Sequence, residues 1–370
     1  MAPARIIEDN TAETHGESFS PNKTKVGING FGRIGRVAFR ASLLRDDITV
    51  VAINHTCASV DDVIHQISFD STHGPLSKSQ NFHTGDIVAI DEQSLAVRGN
   101  VVRLISERNP ANINWKALGA EYVIESTGKF TTTALAEAHT KLGGAKRVLI
   151  SAPSKDASTF VFGVNHHEYP LTTPTVISCA SCTTNCLAPL AKVLDEEFGI
   201  VQGLMTTVHA STRSQHVLDG YSKRDRRAGR AVLGNVIPTT TGAAKAVATV
   251  LPTLAGKLTG ISLRVPICNV SLVDLTLNLE KSTSLSEIIS VLETVSQTTL
   301  SGVLSVEPDE LVSCDFQGNS HSCVVDVKGC VELNSRFFKI LAWYDNEWAY
   351  SSRLLDMLAY MAKVDAVLPV

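Results

Sequence analysis

The stretch that most limits how this chain can fold runs from Lys25 to Ile53. Lys25-Val26-Gly27-Ile28-Asn29 reads as a short strand, and Gly30-Phe31-Gly32-Arg33-Ile34-Gly35 follows at once. Arg36 to Leu44 then reads as a helix, and Ile48 to Ile53 as a second, fully apolar strand. Strand, glycine loop, helix and strand within about 30 residues are the signature of a dinucleotide-binding βαβ unit. The glycines have separate tasks. Gly30 permits the tight turn, Gly32 lets a pyrophosphate approach the backbone, and Gly35 allows close helix–strand packing. The pyrophosphate would rest on the helix N-terminus, where backbone N–H groups are free.

Sites for NAD usually carry an acidic residue about 20 positions further on, to accept the hydrogen bonds of the ribose 2′-hydroxyl. Here the second strand ends in Asn54-His55. A neutral imidazole accepts one hydrogen bond but does not repel a 2′-phosphate, and a protonated one attracts it. His55 therefore leaves NADP open beside NAD; the other reading is a solvent-facing strand end. Tyr122-Val123-Ile124-Glu125-Ser126-Thr127-Gly128 and Arg147-Val148-Leu149-Ile150-Ser151-Ala152-Pro153 predict two more buried strands that end in small polar residues. Ligands bind at such carboxyl ends in open α/β sheets. Alternation of strands and helices up to about Ile177 predicts a parallel, Rossmann-type sheet.

The second half begins with Ser181-Cys182-Thr183-Thr184-Asn185-Cys186, followed by apolar residues at helical spacing up to Phe198. A thiol at a helix start meets partial positive charge, which favours the reactive thiolate. The plainer reading is a buried structural cysteine. Beyond it, strands with β-branched residues dominate, as in Gly203 to Val208 and Val270 to Leu277, with a helix expected over Ser284 to Ser296. This predicts an α+β domain with a mixed or antiparallel sheet. His209 ends the first of those strands in a polar setting and is a candidate base for the thiol. Thr241 and Gly242 precede a helix and could cradle an anion, and Arg264 could clamp a phosphate. Taken singly, these residues would read as an N-cap or a surface charge.

Composition removes several classes of function. The 370 residues are 44% hydrophobic and 19% charged, ordinary for a soluble chain long enough for two domains. A net charge of −4 gives no global attraction to nucleic acid or an acidic membrane, and neither is expected as a partner. No apolar run approaches the roughly 20 residues that span a bilayer. Residues 1–23 read as a flexible polar leader without the apolar core of a secretory signal; Glu8, Asp9, Glu13 and Glu17 argue against an organelle-targeting role. Eight scattered cysteines are no disulfide framework and suit a reducing cytoplasm. No metal is expected.

Together these motifs resemble the glyceraldehyde-3-phosphate dehydrogenase family, from about Lys25 to Lys363. The matching stretches are Ile28 to Arg36, Ser68 to Gly74, Ala180 to Leu190, Leu204 to Ala210, Thr241 to Val247 and Trp343 to Trp348. The resemblance implies a leader (1–23), a dinucleotide-binding domain (24–180) completed by a C-terminal helix (346–370), and a catalytic domain (181–345). It implies that Cys182 attacks the aldehyde to give a thiohemiacetal, and that His209 activates the thiol and serves as base during hydride transfer to NAD. Inorganic phosphate then cleaves the thioester to an acyl phosphate. Thr212 and Arg264 would hold the substrate phosphate; Ser181, Thr183, Thr241 and Gly242 would hold the attacking one. Asn346 would fix the nicotinamide amide with Tyr350 nearby, and Arg33, Ile34, Arg108, Ser126 and Thr127 would line the cofactor cleft. A homotetramer is implied, with its central loop over about Ser211 to Pro238.

Departures from the family pattern gather near the site. His55 replaces an aspartate, and Cys179 stands where asparagine is usual, making Cys179-Ala180-Ser181-Cys182 a literal CxxC. Ile267-Cys268 replaces threonine-proline, Ser352 replaces a common asparagine, and the central loop lacks the family's tryptophan at 226 and glycine at 228. Cys179 is a candidate resolving thiol for oxidised Cys182, against the plainer reading of a small buried side chain. The cluster Lys223, Arg224, Arg226, Arg227 and Arg230 reads as a solvated or inter-subunit loop. Changed neighbours around an intact nucleophile suit a paralogue that tolerates an electrophilic inhibitor. A scaffold or regulatory protein on the same fold, or a dehydrogenase of a related phosphorylated aldehyde such as erythrose 4-phosphate, are the alternatives.

Overall fold

The computed structural model describes residues 23–79, 82–83, 85–169, 174–223 and 225–367. The rest of the expected leader and Arg224 lie outside the described residues. The first sheet is built from β1 (Thr24–Asn29), β2 (Ile48–Asn54), β3 (Ile87–Asp91), β4 (Ser94–Val97), β5 (Asn100–Ile105), β6 (Tyr122–Glu125), β7 (Arg147–Ile150), β8 (Ser158–Thr159) and β9 (Val176–Ser178). Its spatial order is β3-β4-β5-β2-β1-β6-β7-β9-β8. β1 is flanked by β2 on one side and β6 on the other, both parallel to it. The chain order reverses there, so β1 and β6 flank the topological switch point, where ligands bind in such sheets.

The sheet is not wholly parallel, as the alternation had predicted. β3 and β4 form an antiparallel hairpin that pairs with β5 and makes β3 the edge of the sheet. The connections explain it. Two residues join β3 to β4, and two more, Arg98 (φ 46) and Gly99 (φ 80), join β4 to β5. A parallel crossover needs a dozen or more residues, whereas a two-residue turn forces an antiparallel pair.

The second sheet contains β10 (Ile200–Ala210), β11 (Ile237–Thr240), β12 (Leu258–Val265), β13 (Ser271–Leu279), β14 (Leu304–Glu307), β15 (Cys323–Asp326), β16 (Val331–Asn334) and β17 (Phe337–Tyr344). It is mixed: β10 is parallel to β12 and antiparallel to β13. Along β13 burial alternates residue by residue, as expected for a sheet with one face on a core. That core includes Cys186, Leu187, Leu190 and Leu194 of the helix Cys182–Phe198.

The final helix, Trp348–Val367, returns to the first sheet. Leu354, Leu355, Met357 and Leu358 join one buried cluster with Val26, Ala38, Ile48 and Ile124. Polar clasps fix its far end: Asp365 accepts from Tyr122 Oη at 3.0 Å and pairs with Arg147 at 3.3 Å. Among the described residues no helix is long and apolar enough to cross a membrane.

Candidate active site

The glycine loop shows why each glycine is needed. Gly30 has φ 96, in the left-handed region. A Cβ on Gly35 would lie 2.0 Å from the Gly30 carbonyl oxygen, so any side chain there would force the helix off the strand. Gly32 is the N-cap of the helix Arg33–Ser42, has no capping side chain, and would place a Cβ in open space. Free N–H groups beside open room are what a pyrophosphate requires, so these residues fit a dinucleotide. The helix starts three residues before the position read from sequence, because the last part of the glycine loop is already helical.

Arg33 does not offer its guanidinium freely. It pairs with Asp70 and with Glu347, which lies just before the final helix. Burial works against the Asp70 carboxylate, yet Arg33 and the N–H groups of His73 and Thr72 hold it well below the usual range. The loop thus offers helix backbone to a pyrophosphate, and Ile34 and Cys182 both pack against the buried cluster under the final helix. Ser126 Oγ donates to the Gly30 carbonyl at 2.7 Å, and the Thr127 N–H donates to Glu125 at 2.8 Å. Arg108 is exposed, its N–H held by Glu107 at 2.7 Å.

His55 is no solvent-facing strand end: it is 8% exposed. Its Nδ1 accepts from the Cys57 N–H at 3.0 Å, so the neutral ring carries its proton on Nε2. Burial pushes its pKa down, which keeps it neutral near pH 7. The strand end thus presents a donor and no negative charge.

Cys182 is the first residue of its helix, with Ser181 as N-cap; Ser181 Oγ accepts from the Thr184 N–H at 3.1 Å. The thiol lies 3.5 Å from His209 Nε2. His209 Nδ1 lies 2.7 Å from the Ala210 carbonyl oxygen and 2.7 Å from Arg264 Nη1. A guanidinium only donates, so Nδ1 serves one of these partners at a time. When it donates to Ala210, Nε2 presents a lone pair to the thiol. The β10–β12 register places His209 opposite Arg264, which is why residues 55 apart in sequence meet.

The electrostatics correct one expectation. A helix start was expected to favour the thiolate, but burial pushes the Cys182 thiol up, and the Arg264 charge and the Thr183 hydrogen bonds only partly offset it. Burial, followed by the Arg264 charge, pushes the His209 imidazole down to about 4. The resting pair is therefore a neutral thiol beside a neutral imidazole.

The turn before Cys182 is strained. Ala180 has φ 56, unusual for a residue with a side chain. Three groups hold it. Tyr350 Oη donates to the Ala180 carbonyl at 2.8 Å, Ser178 Oγ accepts from its N–H at 3.0 Å, and Asn185 Nδ2 donates to the carbonyls of Cys179 and Ser181 at 2.8 and 2.9 Å. Tyr350 thus acts on the Cys182 turn through its hydroxyl. Cys179 is buried, and burial pushes its thiol far up, so it rests as a thiol.

The anion-binding candidates divide. Thr183 Oγ1 pairs with Tyr344 Oη at 2.9 Å, as does Thr207 Oγ1, so toward an anion Thr183 presents its N–H. Thr212 pairs through its hydroxyl with Gln215 at 2.9 Å. Gly242 caps the helix Ala243–Val250 without a capping side chain, and Thr241 Oγ1 accepts from the Ala243 N–H at 3.2 Å. Asn346 Oδ1 accepts from Ser271 Oγ at 2.8 Å, and Ser271 Oγ accepts from the Ala210 N–H at 3.0 Å. That chain ties Asn346 to the His209 strand and leaves its amide nitrogen to be offered to a ligand. Tyr344, Asn185 and Ser271 escaped the sequence reading. Tyr344 and Asn185 lie inside quoted motifs; Ser271 carried no local signal. Among the described residues no cluster of His, Cys, Asp or Glu is arranged to hold a metal.

Comparison with known proteins agrees with this arrangement. Residues 24–133 match the family model described as the glyceraldehyde 3-phosphate dehydrogenase NAD binding domain, and residues 181–346 match its C-terminal domain. A fold and site of this kind define an NAD-dependent, phosphorylating dehydrogenase. The chain is 52% identical over 340 residues to glyceraldehyde-3-phosphate dehydrogenase B of Aspergillus oryzae, covering 92% of this chain and 98% of that protein. It is 50% identical over 341 residues to the Cochliobolus lunatus enzyme, covering 92% and 98%. It is 51% identical over 349 residues to a chloroplastic glyceraldehyde-3-phosphate dehydrogenase of Arabidopsis thaliana, covering 94% and 81%. The chain belongs to the glyceraldehyde-3-phosphate dehydrogenase family.

Proposed function

We propose that this chain oxidises D-glyceraldehyde 3-phosphate to 1,3-bisphosphoglycerate through a covalent Cys182 intermediate. The observation that carries the reading is the Cys182 Sγ to His209 Nε2 contact of 3.5 Å at a helix start. His209 takes the thiol proton as the sulfur attacks the aldehyde carbon and passes it to the aldehyde oxygen, giving a thiohemiacetal and a neutral imidazole again. Loss of the thiohemiacetal hydroxyl proton to His209 then lets the carbon release hydride, leaving a thioester on Cys182. Bound NAD supplies the hydride acceptor. Phosphate attacks the thioester carbon, the C–S bond breaks, and the thiolate leaves. Arg264 and Thr212 hold the substrate phosphate; Ser181, the Thr183 N–H, Thr241 and Gly242 hold the attacking one. Asn346 orients the nicotinamide amide, while Arg33, Ile34, Arg108, Ser126, Thr127 and His55 shape the rest of the cofactor cleft. Residues 24–180 with the final helix form the cofactor half, and 181–345 the catalytic half. His55 brings no carboxylate, so NADP is accepted beside NAD.

The assembly we propose is a homotetramer. Val217, Leu218, Tyr221, Leu233 and Val236 of the central loop region are each more than 60% exposed, a concentration of apolar surface that suits a second copy. The exposed Lys223, Arg226, Arg227 and Arg230 share that loop, with Arg230 paired to Asp219 at 3.0 Å. The eight free cysteines support a cytoplasmic setting.

The departures at 179, 213, 226, 228, 267 and 268 support a specialised, inhibitor-tolerant copy. Ile267 bears on the site directly, since its carbonyl accepts from Ser211 N–H at 3.0 Å and Ser211 Oγ at 2.8 Å, next to Thr212. The test is a steady-state assay with glyceraldehyde 3-phosphate, with and without phosphate, comparing NAD with NADP. Absence of phosphate-dependent turnover overturns the reaction. Inactivation by a thiol-directed epoxide as fast as that of a housekeeping enzyme overturns the tolerance.

A further inference from the structure

Behind the cofactor loops runs a line of buried polar side chains that the roles above do not use. Glu125 ends β6 beside the switch point and is 1% exposed. Four donors converge on its carboxylate: the Thr127 N–H at 2.8 Å, the Thr127 hydroxyl, the Asn29 side-chain amide, and His139 Nε2 at 3.1 Å. Geometry fixes the tautomer of His139. Trp115 Nε1 can only donate and lies 2.8 Å from Nδ1, so the ring proton sits on Nε2 and is directed at Glu125.

The line continues in the other direction. Asn29 Oδ1 accepts from Asn54 Nδ2 at 2.7 Å. Asn54 grips the loop after β5 with both ends of its amide: Nδ2 donates to the Glu107 carbonyl at 2.8 Å, and Oδ1 accepts from the Glu107 N–H at 2.9 Å. The side chains therefore bridge β6, β1 and β2 at their carboxyl ends, from the Ser126–Gly128 loop to the Glu107–Arg108 loop. Gly27 makes room for the anchor, since a Cβ there would fall 2.5 Å from the Trp115 ring.

A polar line in this place needs a reason. Burying such groups costs free energy unless every one is paired, and apolar side chains would fill the same layer without that demand. Among the described residues no member of this line has an unpaired buried atom. A fully satisfied network holds one geometry and moves as a unit.

We propose that Glu125 is a positioning residue that couples the two cleft-lining loops, Glu107–Arg108 and Ser126–Gly128, with His139 orienting Glu125 from behind. Ordering of the Glu107–Arg108 loop is transmitted through Asn54, Asn29 and Glu125 to Thr127. This rests on the assignment of Arg108, Ser126 and Thr127 to the cofactor cleft.

The test uses the whole chain and AMP, which carries only the adenosine half of the cofactor. Amide hydrogen exchange is followed in segments 105–109 and 125–129 with and without saturating AMP. The expected result is slowed exchange in both segments, by about tenfold. In Glu125→Gln the slowing persists at 105–109 and is lost at 125–129. If that variant does not fold, His139→Gln carries the same expectation. Slowing confined to 105–109 in the unmodified chain overturns the proposal, as does a folded Glu125→Gln that keeps both. Calorimetry with NAD on the unmodified chain is the control, because failure to bind NAD would refute the cofactor cleft itself and not the coupling.

Discussion

The neutral thiol–imidazole pair makes a quantitative prediction about stability and pH. His209 sits at about 4 in the folded chain against an ordinary 6.5, because burial and the Arg264 charge both disfavour the imidazolium. The unfolded chain therefore binds more protons at this residue between those values, and stability rises with pH there. His209's contribution is fully present above about pH 6.5 and is lost as pH falls toward 4. The whole gap corresponds to about 3 kcal/mol, and integration from pH 7 to pH 5 gives a loss of about 2 kcal/mol. The groups that face the ring, Cys182, Arg264 and Tyr344, do not titrate in that range, so they leave the difference intact. Urea unfolding of the wild type and of His209→Asn, at pH 7 and pH 5 and at one protein concentration, isolates the term. The wild type should lose about 2 kcal/mol more than the variant. A wild type that loses no more, or that gains relative to the variant, would show an imidazolium in the folded state. The resting site would then be a thiolate–imidazolium pair, and the reasoning from burial would be wrong.

Three further outcomes are expected. Replacing His55 with Asp restores a carboxylate at the ribose position, and the ratio of NAD to NADP specificity should rise at least about tenfold, roughly 1.4 kcal/mol; comparison of kcat/KM for the two cofactors measures it. Asn185→Ala removes two hydrogen bonds from the strained turn and should cost about 1–3 kcal/mol while slowing alkylation of Cys182, and an unchanged alkylation rate would count against the turn's role. Gly35→Ala places a methyl group 2.0 Å from the Gly30 carbonyl oxygen, so NAD affinity should fall by at least about tenfold by calorimetry, while Cys182 alkylation in the absence of cofactor stays close to wild type.

The parts legible in sequence were those whose logic is local. The glycine loop states its own geometry, because φ at Gly30 and the close approach at Gly35 are settled within six residues. Cys182 at a helix start was readable for the same reason. The electrostatics of that thiol were not, because they depend on packing against a core drawn from many strands and on the charge of Arg264 from β12. The bond between the Thr183 and Tyr344 hydroxyls joins residues 161 positions apart, and no local pattern announces it. The pairing of Arg33 with Glu347, 314 positions away, was equally hidden. The antiparallel hairpin was hidden because short apolar runs do not reveal strand direction; only the length of the connections does.

The hydroxyl of Tyr350 on the Ala180 carbonyl has an implication for how this enzyme comes into being. Cys182 lies midway along the chain, yet a group that props up its turn lies in the helix Trp348–Val367, which is synthesised later. Asn346 and Glu347, which reach the His209 strand and the glycine-loop helix, are made just before it. The Cys182 turn therefore reaches its braced form only once residues 346–367 have docked, so its geometry is set by a join between distant parts of the chain and not by its own segment.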